Sequence, residues 1–261
     1  MENDIQIIGL TPENIASYGV CGYKDVNKHK ELRSRIAWFE EYYAKGLRIK
    51  AVIASDGSYQ GMLEYIPGEF AHRPVNAAGY LFIHCIFVGF KNEFKGKGYA
   101  SRLIGECISE AKTAGKAGVA VVTRKSSFMA GDEIFLKNGF TVTDSAKPDF
   151  NLLALKFNEK AENPTFKTEV LNDFDKYKNG LTIIRSPQCP YTEKNVTAII
   201  QTAEEKYNLK PNLIDLKNAE AAQQTPCAFG SFCIIFNGKV ISHHPISNTR
   251  FENIMNKELK Q

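Results

Sequence analysis

Apolar and polar positions alternate along the first part of the chain in a way that predicts several strands around one long helix. A β-branched run at 5–10 predicts a strand, and the helical spacing of apolar residues from Lys28 to Lys45 predicts a helix. Two strand patterns at 47–55 and 59–68, separated by Asp-Gly-Ser, predict a hairpin. The long apolar stretch 79–90 then predicts a buried central strand.

The pattern next changes to a helix, a strand, a short helix and two more strands. The first of these helices carries an apolar stripe that ends at Gly115, a residue type that commonly stops a helix. The predicted elements are helices at 101–115 and 131–140, and strands at 118–123, 141–145 and 151–157. Together they predict an α/β (α+β) domain over residues 1–158, in which a mixed sheet is flanked by helices.

The composition of the sequence changes after Phe157. Residues 159–179 are polar and charged, which predicts a linker or docking segment. Residues 180–261 then read as a second, smaller α/β domain with its own core. Its predicted elements are a strand from 181, a helix at 193–209, a strand at 211–216, a short helix at 217–224 and a hairpin with an Asn-Gly turn at 231–244.

Composition narrows the class of protein. The 261 residues are 43% hydrophobic and 24% charged, which is ordinary for a globular chain that buries a core. A net charge of only +4 gives no argument for nucleic acid, and no apolar run approaches the ~20 residues of a membrane helix. The start of the sequence lacks the features of a signal peptide, so the six cysteines read as reduced thiols of a cytoplasmic protein. The sequence gives no oligomeric state.

The octet "FKGKGYAS" at 94–101 stands between the long strand and the following helix. The N-terminus of a helix presents unpaired N–H groups and the positive end of the helix dipole, which together attract anions. Gly96 and Gly98 allow an anion to approach the backbone closely, while Lys95 and Lys97 add positive charge. The octet alone is equally consistent with a strand–helix turn that simply requires glycine.

In its context the octet resembles the phosphate loop of the GNAT family of acetyl-CoA-dependent N-acyltransferases, and the resemblance covers residues 1 to about 158. That loop reads Gln/Arg-x-x-Gly-x-Gly/Ala, and "KGKGYA" at 95–100 matches it except for Lys95 in the first position. "FLKNGF" at 135–140 also resembles the family's Tyr-x-x-x-Gly-Phe turn. The resemblance implies acetyl-CoA as the cofactor, bound by Ile86, Phe87, Val88, Lys95, Gly96, Lys97, Gly98, Tyr99, Ala100 and Ser101.

The resemblance further implies direct attack of a substrate amine on the acetyl thioester, with strand 79–90 diverging from the strand after the helix. A base must then take a proton from the amine, directly or through water. Glu64 and His84 are the two candidates on suitable strands. Each also has a plain structural interpretation, Glu64 as an exposed strand residue and His84 as a hydrogen-bonded core histidine.

Phe135 marks a departure from the family pattern. Many members carry a tyrosine at this position, whose hydroxyl protonates the departing thiolate, and phenylalanine cannot do so. Water, Tyr65, or the hydroxyl of Ser126 or Ser127 could replace it, or the thiolate could leave unassisted. The acid is therefore left unassigned.

"SPQCPYT" places Cys189 between a strand and a helix, a location that lowers a thiol's pKa and makes the residue a candidate reactive site. Cys-Pro-Tyr resembles the active turn of glutaredoxins and thioredoxins, with Thr192 in place of the second cysteine. In such folds the loop before the third strand faces that turn, so Cys227 is the expected disulfide partner and Cys233 the buried, inert thiol. "TPCAFG" and "FNG" further resemble a YoaP-like module that follows a GNAT domain.

Two hypotheses of different class follow. The first is an acetyl-CoA-dependent N-acetyltransferase that acts on a small-molecule amine and ends in a thioredoxin-like domain. The second is a thiol-redox or soft-metal-responsive protein whose first domain only binds coenzyme A. His243 and His244 fit no zinc spacing, and adjacent strand residues point to opposite faces, so no metal ligands are assigned.

Overall fold

The computed structural model describes residues 5–260, which fall into two units. The first contains residues 5–71 and 75–166, and the second contains residues 72–74 and 167–260. The stretch 159–179, expected to be a linker or docking segment, is divided between the two units after Phe166. Over residues 5–260 no helix combines the length and the apolar character that crossing a bilayer requires.

The first unit is built on one large mixed sheet. Its strands are β1 (Ile5–Gly9), β2 (Arg48–Ala54), β3 (Tyr59–Pro67), β5 (Tyr80–Val88), β6 (Gly118–Thr123), β7 (Thr141–Ala146) and β8 (Phe150–Lys156), with β4 (Val75–Asn76) and β9 (Thr165–Phe166) forming a separate small pair. The seven strands of the large sheet lie in the order β1-β2-β3-β5-β6-β8-β7. Only β5 and β6 run parallel within it, because α3 connects them as a crossover. The α/β class with a mixed sheet is confirmed.

Helices flank this sheet. They are α1 (Ile15–Tyr18), α2 (Lys30–Tyr43), α3 (Tyr99–Thr113) and α4 (Glu133–Lys137). The α3 residues Leu103, Ile104 and Cys107 are fully buried in a core cluster with Leu63, Leu81 and Val119 from the strands below. This packing supports the predicted apolar stripe of the helix.

The buried face of α2 is rotated relative to the stripe that apolar spacing predicts. Leu32, Ile36, Phe39 and Tyr43 mark the predicted face, whereas Leu32, Arg35, Trp38, Phe39 and Tyr42 are the buried residues. The buried positions recur at helical spacing only when the charged Arg35 is counted among them. A prediction made from apolar residues alone therefore misplaces this face.

The second unit contains a four-stranded sheet in the order β11-β10-β12-β13. Its elements are β10 (Leu181–Arg185), α5 (Tyr191–Lys194), α6 (Val196–Tyr207), β11 (Asn212–Asp215), α7 (Ala219–Gln223), β12 (Phe232–Phe236), β13 (Lys239–Ser242) and α8 (Asn248–Glu258). β10 runs parallel to β11 and antiparallel to β12, and β12 and β13 form an antiparallel hairpin. The sequence interpretation did not include α8, whose N-terminus is capped by Ser247.

Candidate active site

The strands β5 and β6 separate partway along their length, as the sequence interpretation expects. Their parallel pairing extends from Tyr80 opposite Gly118 to Ile83 opposite Val121 and then ends. Beyond that point β5 continues to Val88 against β3, while β6 continues against β8. The two backbones diverge and leave a gap in the middle of the sheet.

A cavity occupies this gap. Its walls come from β5 at 83–86, from Val121 and Val122 of β6, from the loop residues 128–130 and from Phe135 of α4. Its empty space, including the open mouth, is about 270 Å³. Ile86, Phe87 and Val88 lie on β5 beyond Ile83, the last residue that pairs with β6, and they still pair with β3. This is where the resemblance expects cofactor contacts.

The glycine loop follows directly after this part of β5. Gly96 and Gly98 have φ angles of +71° and +79°, which side chains with a Cβ adopt only with strain. No heavy atom lies within 4 Å of the Cβ position of either glycine, so the space above both is open. The first i→i−4 hydrogen bond at this end runs from Arg102 N–H to Gly98 O, at 3.0 Å. The earlier N–H groups of the helix have no intrahelical acceptor.

The polar side chains of the loop are held in two ways. Lys95 donates a hydrogen bond to Asn92 Oδ1 at 2.9 Å, and both Lys95 and Lys97 are exposed. Ser101 accepts a hydrogen bond from Asn138 Nδ2 at 3.1 Å, which ties the first turn of α3 to the end of α4.

Three buried polar residues from three different elements meet beside the gap. Glu64 of β3 forms an ion pair with Arg35 of α2 through Oε2, and its Oε1 lies 3.1 Å from Nδ1 of His84. Neither Arg35 nor Glu64 is more than 1% exposed. The interpretation of Glu64 as an exposed strand residue is therefore wrong. His84 is hydrogen-bonded in the interior and also lines the cavity.

A β-bulge places His84 in this group. Glu64 pairs with Cys85, but the next residue of β3, Tyr65, pairs with Ile83, so His84 is the extra residue of β5. Bulges redirect side chains and interrupt pairing, and they are frequent beside active sites. This bulge lies where β5 also loses β6 as a neighbour.

Aromatic rings enclose the charged group. The guanidinium of Arg35 lies 4.7 Å from the ring centroid of Trp38, a cation–π geometry. The rings of Trp38 and Phe82 lie 6.3 and 5.8 Å from that of His84. Such surroundings strengthen electrostatic interactions because they exclude water.

Phe135 lines the gap without offering a hydroxyl, and Tyr65 and Ser126, two of the residues considered for the acid role, form hydrogen bonds of their own. Phe135 is fully buried against Phe140, with ring centroids 5.5 Å apart. Tyr65 donates its hydroxyl to Glu110 at 2.6 Å, and burial followed by this hydrogen bond raises the pKa of Tyr65. Tyr65 thus belongs to the core beneath α3, and the structure gives it no place as an acid. Ser126 donates a hydrogen bond to the carbonyl of Ser127.

Cys189 in the second unit lies in a turn and is half-buried. Its carbonyl accepts hydrogen bonds from the N–H and the hydroxyl of Thr192, at 3.0 and 2.7 Å. The helix that follows it is the four-residue α5, which Asn195 separates from the longer α6. Cys189 therefore lies between a strand and a helix, as the sequence predicts, but that helix is short and the dipole available to the thiol is that of one turn.

Cys227 and Cys233 lie together in a buried cluster with Ile184 and Leu216. Burial raises the pKa of the Cys233 thiol, and its hydrogen bond with Cys227 adds to the effect. The burial predicted for Cys233 is confirmed, at 1% exposure. The pairing of Cys189 with Cys227 stays a prediction, with Cys233 as the observed neighbour of Cys227. Among residues 5–260, His, Cys, Asp and Glu side chains form no group of three suited to a metal ion.

Comparisons with known proteins show similarity to each unit. A family model described as YoaP-like matches residues 212–253. The protein "Uncharacterized N-acetyltransferase YoaP" of Bacillus subtilis (strain 168) is 28% identical over 252 residues, which cover 95% of this chain and 98% of that protein.

Solved acetyltransferase structures match at lower identity. YncA of Salmonella typhimurium, solved with acetyl-CoA, is 16% identical and covers 61% of this chain and 98% of its own, with a TM-score of 0.43. An N-acetyltransferase of Staphylococcus aureus Mu50 is 20% identical and covers 59% and 99%, with a TM-score of 0.42. At these values the matches assign no role to any residue.

Proposed function

We propose that this chain is an acetyl-CoA-dependent N-acetyltransferase of the GNAT type that acts on the amine of a small molecule. The observation that carries the proposal is the gap between β5 and β6 directly before the open glycine loop of α3. The Bacillus subtilis relative supports it, since its name describes an N-acetyltransferase and the similarity spans 95% of this chain.

The gap and the loop fit two neighbouring parts of a coenzyme A thioester, the pantetheine arm and the pyrophosphate. The backbone of β5 at 86–88 has β3 on one side and the gap on the other, so its outward N–H and C=O groups suit the amides of a pantetheine arm. The N-terminus of α3 offers N–H groups to a pyrophosphate, and Gly96 and Gly98 leave room for it. Lys97 adds an exposed positive charge at the same place.

Acetyl-CoA supplies an acetyl thioester, whose carbonyl carbon is open to attack by an amine nitrogen. The residues of this chain must therefore orient the amine and accept its proton. His84 and Glu64, which meet beside the gap, are the proposed proton acceptors, acting directly or through one water. The thiolate of coenzyme A is an adequate leaving group near neutral pH even without a general acid. The chemistry is therefore compatible with Phe135, which has no hydroxyl to donate.

We propose in addition that the second unit is a thioredoxin-like domain. Its support is the strand order β11-β10-β12-β13, with one parallel pair and a terminal hairpin. The turn that contains Cys189 follows β10, at the position of the active turn in that fold. The domain is expected in the cytoplasm, where thiols remain reduced.

A thiol-redox role is the second candidate function. The observation in its favour is the contact between Cys227 and Cys233 inside the second unit. Measuring free thiols after exposure to glutathione disulfide tests it. A redox role predicts the loss of two thiols per chain at glutathione potentials, and full retention of six thiols would exclude it.

The cofactor assignment is tested by Gly98→Val, which places a branched side chain where the pyrophosphate is expected. We expect the affinity for acetyl-CoA to fall at least tenfold, which corresponds to about 1.4 kcal/mol. Isothermal titration calorimetry measures the affinity, and a melting curve checks the fold.

Gly115→Val is the matched control. Gly115 also has a positive φ and no heavy atom within 4 Å of its Cβ position, but it lies at the opposite end of α3. Both substitutions therefore carry similar backbone strain, and only one lies at the loop. Equal affinities in the two variants, or no binding to the folded wild type, would contradict the assignment. Release of free thiol on incubation with a panel of small amines then tests the transfer itself.

A further inference from the structure

Arg35 is the one member of the buried polar group that the proposed chemistry has not used. It lies in the buried stripe of α2, fully buried, with one guanidinium nitrogen paired with Glu64 and the guanidinium carbon over the ring of Trp38. An arginine remains charged at all relevant pH values. Burying that charge is costly unless an anion is paired with it, so Glu64 is committed to the ionised state.

The second oxygen of this carboxylate determines the tautomer of His84. An ionised carboxylate only accepts hydrogen bonds, so the contact of Oε1 with Nδ1 places the ring proton on Nδ1. The lone pair of the neutral ring is then on Nε2. The order Arg35–Glu64–His84 therefore specifies which nitrogen of the histidine can accept a proton.

The carboxylate that contacts His84 is itself part of an ion pair. Arg35 and Glu64 together contribute no net charge. Cys85 lies opposite Glu64 in the strand register, and Tyr59 lies close enough to interact electrostatically with Cys85, Glu64 and Arg35. Burial raises the pKa of Tyr59, which keeps its hydroxyl neutral. The negative charge of Glu64 beside His84 is therefore offset by Arg35.

We propose that Arg35 is a positioning residue, which neutralises and orients Glu64 so that Nε2 of His84 is the base of the reaction. The inference rests on the proposed acetyl transfer. In that step the amine nitrogen forms a bond to the acetyl carbon, the carbon–sulfur bond breaks with its electrons moving to sulfur, and the amine proton passes to Nε2. Glu64 then stabilises the imidazolium that forms.

The experiment follows the titration of the His84 ring by NMR in the full chain, with resonances assigned by their loss in His84→Gln. In Arg35→Met the unneutralised Glu64 favours the imidazolium, so the midpoint should move to higher pH by about one unit or more. In Glu64→Gln the unpaired guanidinium should move it to lower pH. Arg35→Lys retains the positive charge and should leave the midpoint near that of the wild type.

The same variants are then assayed for acetyl transfer. The acid limb of the kcat profile should move with the NMR midpoint, while KM for acetyl-CoA stays within about twofold. A purely structural Arg35 would lower kcat or melting temperature without moving that limb. A His84 midpoint that stays at the wild-type value in both Arg35→Met and Glu64→Gln would overturn the inference.

Two measures keep the result interpretable. The double variant with Arg35→Met and Glu64→Gln removes both buried charges, so its folding does not depend on an unpaired ion. Its midpoint should lie between those of the two single variants, and a midpoint equal to either one would contradict the charge argument. The NMR titration needs no acetyl-CoA. If the chain acetylates no amine, the proposed function fails, whereas a static midpoint in an active enzyme defeats only the role of Arg35.

Discussion

The two units bury their reactive side chains in opposite ways. In the first unit Arg35, Glu64 and His84 come from three elements and satisfy one another. In the second, Cys227 and Cys233 lie in contact among apolar side chains. A buried ion requires a partner of opposite charge, whereas a buried thiol simply remains neutral because burial raises its pKa.

This difference indicates where chemistry is to be expected. Keeping three polar groups in the interior is costly, and His84 lines the cavity in the sheet, which is the arrangement that the proposed proton transfer requires. The thiol pair has no such cost. A neutral buried thiol is also a poor nucleophile, which leaves the half-buried Cys189 as the accessible thiol of the second unit.

Replacing His84 gives the largest effect expected from this contrast. His84→Gln retains a hydrogen-bonding side chain but removes the proposed base, a role that typically contributes about 10²–10⁴ in rate. We expect kcat to fall within that range while calorimetry shows an unchanged affinity for acetyl-CoA. His29→Gln is the control, because His29 is a partly exposed histidine at the start of α2. Equal turnover in the two variants would remove His84 from the mechanism.

Thiol labelling tests the other side of the contrast. Labelling of a buried thiol requires local opening, and each ~1.4 kcal/mol of opening free energy slows it about tenfold. Cys189 should therefore be alkylated at least about tenfold faster than Cys227 or Cys233 at neutral pH. Peptide mapping by mass spectrometry after short exposure to iodoacetamide measures the three rates. If Cys227 or Cys233 reacted as fast as Cys189, burial would not be protecting these two thiols, and the contrast with the first unit would fail.

Mild oxidation followed by the same peptide mapping distinguishes the two possible disulfides of Cys227. The sequence predicts a bond to Cys189, while the structure shows contact with Cys233. Cys233→Ser removes the observed neighbour. A Cys189–Cys227 peptide that forms equally in the wild type and in this variant would support the prediction.

The sequence was sufficient for most elements and for the glycine loop, because these depend on local patterns. Periodicity located the hairpin of β2 and β3, the long β5 and the helix after it. Glycines with positive φ and open surroundings are found where the loop motif requires them. Such features are encoded within a few neighbouring residues, and a single chain is enough to read them.

Features that depend on distant partners were missed. Arg35 interrupts the apolar stripe of α2, and its partner Glu64 is far away along the chain, so neither residue predicts the ion pair. The bulge at His84 arises from a register shift between strands, which no local pattern records. Helix α8 could have been found, because Ser247 precedes apolar residues at helical spacing, Phe251 and Met255.

The smallest expected effect concerns Glu110, a carboxyl group at the edge of the first unit's core. Glu110 is partly exposed, so water shares in stabilising its charge. Burial alone would raise the pKa of Glu110, but hydrogen bonds from Lys50 and Tyr65 outweigh it and lower the pKa. A carboxyl group with a lowered pKa stabilises the fold above its unfolded pKa, and this contribution disappears as pH falls through the folded pKa. Tyr65→Phe should therefore cost about 1 kcal/mol near pH 7, since Glu110 is partly exposed, and progressively less below pH ~4.

Tyr80→Phe is the matched control for this measurement. The hydroxyl of Tyr80 donates to the neutral carbonyl of Glu162 at 2.7 Å, so its loss should cost a similar free energy at every pH. Urea unfolding of both variants and the wild type at a series of pH values measures the two differences. If the cost of Tyr65→Phe were as constant as that of Tyr80→Phe, the hydroxyl would not be stabilising an ionised Glu110. The need of an ionised group for a partner would then be supported in this protein only for the buried Arg35, Glu64 and His84.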